Sequence, residues 1–115
     1  MRMVLGVVAL TMMPTALSAA DIGKLSRAQP DMQLQSEKSI YDIERCIVEV
    51  DGPGIPSIYR QPDRPNHTLI AYSMNSAVIF LVGLERNETG AKVELRRGSP
   101  GFGKVRVPES LTNCF

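Results

Sequence analysis

Acid–base chemistry near neutral pH needs a side chain that titrates there, and histidine is the usual one. The chain has a single histidine, His67, in the run Pro65-Asn66-His67-Thr68. Paired with a carboxylate such as Asp63 it would suit a small hydrolase. The same context also fits a histidine at the entry to a strand, with no chemistry attached. Glycosidase-type chemistry needs two convergent carboxylates. Glu85 and Glu94 could face each other across a hairpin, but with Arg86 and Arg96 beside them they read as a solvated charge ladder. Two glycine-bearing runs, Asp51-Gly52-Pro53-Gly54 and Gly98 to Gly103, lack the Gly-Lys-Ser/Thr ending of a phosphate loop. No catalytic, cofactor or metal residue is assigned on these patterns, and the chain reads as non-catalytic.

Cys46 and Cys114 are the only cysteines. A metal site needs three or four ligands, and His67 is the one histidine to join them. A redox pair usually shows the C-x-x-C spacing, which is absent. A structural disulfide is the remaining reading. It closes a loop of about 68 residues, for which the chain-entropy relation gives about 4 kcal/mol. That is a large fraction of the total stability of a domain this size.

Binding anchors are a third kind of chemistry. The stretch Ile55 to Asn66 holds Pro56, Pro62 and Pro65, which restrict the chain before any partner arrives. Tyr59, Arg60 and Arg64 are of the types most used as anchors, and they are the candidate binding residues. The bland alternative is a linker from helix to sheet with Tyr59 tucked into the core. The partner would be a protein or a component of the cell envelope. A sharper version is an inhibitor of a secreted hydrolase that presents this 55–66 loop.

The cysteines need an oxidising compartment, and the first twenty residues supply a route to one. Arg2 forms a positive start, Met3 to Met13 an apolar run, Pro14 a break, and Ser18-Ala19-Ala20 a small-residue cleavage site. The run is about half the length that a membrane-spanning helix requires. Residues 1–20 are therefore expected to be a cleaved signal peptide, with export to the periplasm or medium and no membrane span afterwards. The 95 residues that remain carry 12 basic and 12 acidic side chains, and 36 of them are apolar. A balanced charge argues against nucleic acid as a partner, and the apolar share implies a lean core. Asn66-His67-Thr68 and Asn87-Glu88-Thr89 match the N-glycosylation pattern, which has meaning only in a host that uses it.

These residues need elements to hold them. Residues 21–35 have no sustained period and read as a flexible leader, and 36–115 as one domain. From Ser36, the positions Ile40, Ile43, Cys46, Ile47 and Val50 share a helical face. Glu37, Lys38, Asp42, Glu44, Arg45 and Glu49 mostly take the other side. Ser36 or Ser39 is the N-cap, and Gly52-Pro53 stops the helix. Ile55 to Arg60 suits an edge strand. Thr68 to Met74, Ala77 to Glu85 and Lys92 to Arg97 then form an antiparallel meander, with turns at Asn75-Ser76 and Asn87 to Gly90. Lys104 to Val107 adds a short strand, and Pro108 opens a terminal helix whose apolar face holds Leu111, Cys114 and Phe115. The fold class is α+β: an amphipathic helix, an antiparallel sheet of three to five strands, and a short C-terminal helix disulfide-linked to the first.

Overall fold

Thr68 to Met74 and Lys92 to Arg97 alternate, and Ala77 to Leu84 between them is a short apolar run buried on both faces, so the segment forms three long strands joined by short connections. The structure is a computed structural model and describes residues 19–50, 55–74, 76–98 and 105–115, with side chains from residue 22 onward. In chain order the elements are α1 (Ala19–Ser26), β1 (Met32–Ser36), α2 (Ile40–Glu49), β2 (Pro56–Arg60), β3 (His67–Met74), β4 (Ala77–Asn87), β5 (Gly90–Arg97) and α3 (Glu109–Thr112). The strands make one antiparallel sheet in the order β1-β5-β4-β3-β2. This is the α+β architecture and meander expected from the sequence, with five strands.

Register decides which side chains meet. Tyr72 lies opposite Phe80, Ile70 opposite Val82, and Val82 opposite Leu95. Together with Leu84 and Val93 they form the core face, on which Ile43 and Ile47 of α2 and Leu111 after the last strand are fully buried. The rings of Tyr72 and Phe80 meet edge-on, with centroids 6.3 Å apart. Such a pair adds about 1 kcal/mol beyond the area it buries. Between Tyr72 and Ser73 the register shifts, because Ile79 is an extra residue on β4.

The helix over this face starts where the sequence permits. Ser39 accepts a hydrogen bond from the Asp42 N–H and caps α2. Ser36, the other candidate, ends β1 and accepts from the Lys38 N–H instead. The helix ends at Glu49; the Asp51–Gly54 stop signal lies outside the described residues. Cys46, near the end of α2, is bonded to Cys114, two residues beyond α3, with Cα atoms 5.5 Å apart. The separation is ordinary for a disulfide. Lys38 Nζ also donates to the carbonyl oxygens of Asn113 (3.2 Å) and Cys114 (3.4 Å). The C-terminal segment is thus held at both ends of α2.

Two segments of the chain differ from their expected structure. Residues 21–35 are not a flexible leader: α1 and β1 lie there, and β1 pairs with β5 from Met32↔Leu95 to Ser36↔Ala91. The short period of β1 was hidden by its length, five residues alternating Met-Gln-Leu-Gln-Ser. Asp31 fixes its start by accepting the Arg97 backbone N–H and pairing with the Arg97 guanidinium. Second, Val105 to Val107 form no strand; they pack as irregular chain against the core, and Pro108 caps α3 rather than opening it. Residues 1–18 of the expected signal peptide lie outside the described residues. A cut after Ala20 would fall two residues into α1.

Tyr72 gives this core a pH signature. Burial pushes its phenol up to about 12, while its hydroxyl donates to the Ile47 carbonyl. The unfolded phenol ionises near pH 10. Stability tied to Tyr72 is therefore intact below pH 10 and falls as pH rises toward 12, by about 2 to 3 kcal/mol. Urea midpoints measured from pH 9 to 12 should fall in this window for the wild type. Tyr72→Phe should lack that component; equal losses in both proteins would contradict the assignment.

Candidate functional site

The second face of the sheet has two halves. Ala71, Val78 and Leu81 form a small buried cluster that Ile22 and Leu25 of α1 cover. Beyond α1 the face is open and polar. One row of neighbours crosses all five strands: Tyr59, Leu69, Gly83, Glu94 and Gln33. The next row runs His67, Glu85, Lys92. A groove of about 470 Å³ lies over these rows, floored by Leu69 and Gly83. Ser26 at the end of α1 and Arg27 just after it, with Gln61 and Arg64 in the β2–β3 connection, form its walls.

Glycines elsewhere in the sheet are required by crowding. A Cβ on Gly90, which sits at φ +146°, would lie 2.1 Å from the Ser36 carbonyl oxygen, and one on Gly98 would lie 2.0 Å from that of Val78. Gly83 is different. Its Cβ would meet Leu69 Cδ2 at 3.7 Å and the Glu94 carbonyl oxygen at 3.9 Å, which are ordinary contacts. Neither backbone angle nor packing demands a glycine there, and its effect is to leave the groove floor bare.

The charges in the groove are unequally satisfied. Glu94 is held by Lys92 (3.2 Å) and Arg96 (2.9 Å) on its own strand. Burial pushes the Glu94 carboxyl up, but hydrogen bonds and positive charge from Lys92 and Arg96 outweigh it, so its pKa lies below the usual value. This contribution to stability is present above the unfolded pKa and lost as pH falls through the folded one. Arg96 is further anchored on the Ala28 carbonyl. His67 lies 3.7 Å from Glu85 and in contact with the Arg64 guanidinium. Arg27 and Arg64 have no carboxylate partner among the described residues.

A second hollow of about 290 Å³ opens on the other side of His67, between α2 and the β2–β3 connection. Its rim carries the exposed ring of Tyr41 with the Arg86 guanidinium 5.3 Å above it. Its wall includes Glu44, whose side chain is 7% exposed and bonded through Oε2 to Arg60. The other oxygen, Oε1, has no protein partner. The sequence reading placed Glu44 on the solvent side of the helix. Its spacing told otherwise, since it falls four residues after Ile40 and three before Ile47; its charge concealed this, and the arginine that compensates it arrives from another strand.

The three candidate anchors are separated. Tyr59 and Arg60 are adjacent on β2, so they point to opposite faces: Tyr59, 41% exposed, extends the groove row, whereas Arg60 is committed to Glu44. Arg64 joins the groove wall. The presented loop is also shorter than 55–66, because Pro56–Arg60 is an edge strand and turn hydrogen bonds from Gln61 to His67 close the remainder. His67 has Glu85 rather than Asp63 as its carboxylate neighbour, and the Ser26 hydroxyl on the groove wall donates to the Gly23 carbonyl. Glu85 and Glu94 sit on one face in diagonal positions, opposite Lys92 and Gly83, not opposite each other. Among the described residues no three His, Cys, Asp or Glu side chains converge as metal ligands, and no helix is long and apolar enough to cross a membrane.

The chain matches no protein-family model, no curated protein and no solved structure.

The Glu44–Arg60 pair yields a stability test. Removing a partner from a buried carboxylate leaves its desolvation uncompensated, reduced here because Arg60 is 63% exposed. Arg60→Ala should cost about 2 kcal/mol in urea denaturation. Glu44→Leu, which removes the buried charge itself, should stay within about 1 kcal/mol of the wild type. The reverse order would show that the pair is not what fixes β2 to α2.

Proposed function

We propose that the protein is an exported, disulfide-braced binding module that recognises a partner of the cell envelope, a protein or an envelope component, without catalysing a reaction. The observation that carries this reading is the groove beside His67. Arg27 and Arg64, which have no carboxylate partner among the described residues, reach it from different elements, and its floor is left bare by a glycine that the fold does not require. Arginine and tyrosine are common anchors of recognition surfaces, and Tyr59 prolongs the same row at the sheet edge. Export is supported by the apolar run before Pro14 and by the Cys46–Cys114 bridge, which suits an oxidising compartment. Arg60, already holding Glu44, contributes to the scaffold rather than to recognition.

Cells producing the full chain test both parts. The protein recovered outside the cytoplasm should begin at Asp21 by intact mass. It should also be retained on the isolated envelope fraction. A Tyr59→Ala/Arg64→Ala variant with an unchanged Tm should be retained at least tenfold less. A cytoplasmic protein that keeps Met1, or equal retention of the two proteins, would overturn the proposal.

A further inference from the structure

We propose that the groove between α1 and the β2–β3 connection binds a phosphoryl dianion, held by Arg27 and Arg64 above Gly83. This inference rests on the binding-module reading and specifies its ligand chemistry. Charge is the first reason. The groove lining contains Arg27, Arg64, Lys92 and Arg96 against Glu85 and Glu94, an excess of two positive charges with His67 neutral. A dianionic phosphate monoester matches that excess, whereas a single carboxylate would leave one charge uncompensated.

Availability is the second reason. Lys92 and Arg96 are already spent on Glu94, and the Arg96 side chain is only 12% exposed. Arg27 and Arg64 are the cations left to meet a ligand. Guanidinium groups suit phosphate because their N–H donors form a planar fork that bonds two oxygens at once. Arg64 lies against the His67 ring, 3.1 Å from Nε2, which places its guanidinium at the groove wall.

The third reason is Gly83. An interior strand glycine gives up packing and backbone entropy, and commonly marks a close approach by a ligand or another chain. Here the space over its Cα is enclosed by Leu69 on one side and Glu94 on the other, so a ligand could lie against the backbone with an apolar group on Leu69. The groove volume is within the range of small-molecule sites. Arg27 follows the expected cleavage point, so the site is complete in the exported chain.

The experiment is an NMR titration of the full chain at pH 7.5, with phenyl phosphate as the probe and benzoate as the monoanionic control. Phenyl phosphate should shift the Gly83 amide and the Arg27 and Arg64 Nε–H signals along one saturable curve, with benzoate at least tenfold weaker. Gly83→Val supplies the decisive variant. A β-branched residue suits a strand and its Cβ has room, so Tm should hold or rise while phenyl phosphate binding falls at least tenfold. Arg27→Gln/Arg64→Gln should lose binding similarly. Vesicles of phosphatidylcholine with or without one fifth phosphatidic acid identify the source of the phosphate. Binding only to the acidic vesicles, abolished by Gly83→Val, supports a lipid headgroup in this groove. Binding of phenyl phosphate without vesicle binding supports a soluble phosphate ester. Equal affinity for benzoate, unchanged binding by Gly83→Val, or no shift with either anion or vesicle would overturn the inference. If envelope retention still depends on Arg64 in that last case, the binding module stands and only its phosphoryl ligand falls.

Discussion

Two helical pieces far apart in sequence must stay on the same face of the sheet, and the Cys46–Cys114 bond is what ties them. Without it, α2 and the C-terminal turn would each be a short element with a few apolar contacts, too small to hold its position alone. With it, Ile43, Ile47 and Leu111 form one lid over Ile70, Tyr72, Phe80 and Val82. The bond spans 68 residues that include β2 to β5, so it constrains the unfolded chain across four of the five strands. Lys38 reinforces the same junction from the start of α2.

This closure on one face leaves the other to do something else. Only one end of that second face is apolar, and α1 covers it with Ile22 and Leu25. The remainder carries charge along β5 and at the ends of β3 and β4. Within it, pairing follows proximity along the strand: Glu94 takes Lys92 and Arg96, two residues away on either side. Arg60 and Arg97 are likewise committed, to Glu44 and Asp31, where they fix an edge strand and the chain before β1. Arg27 and Arg64, which are outside these structural pairs, border the groove. The separation between cations that build the fold and cations that remain available is the physical basis of the functional reading.

Much of the architecture was legible because its signals are local. The period-two runs of β3 and β5, the continuous apolar run of β4, the helical spacing of Ile40, Ile43 and Ile47, the Ser39 cap and the single possible cysteine pairing all declare themselves within a few residues. What stayed hidden depended on contacts across the chain. β1 is too short for its alternation to register, and it becomes a strand because β5 offers an edge and Arg97 receives Asp31. Glu44 is buried because Arg60 meets it from β2. The candidate anchors were only partly placed: Tyr59 and Arg64 border the groove face, but Arg60 turns to the core side because neighbouring strand residues alternate. Arg27, Gly83 and Lys92 carried no motif and become a group only through strand register and the packing of α1 on the sheet.

The disulfide is the constraint that keeps the helical lid on the sheet, and native-state hydrogen exchange tests this most directly. The amides of β3, β4 and β5 are to be followed in the oxidised protein and after gentle reduction of Cys46–Cys114. On reduction their slowest exchange should accelerate together by a factor of about a thousand, the equivalent of about 4 kcal/mol. Unchanged protection in those strands after reduction would contradict it.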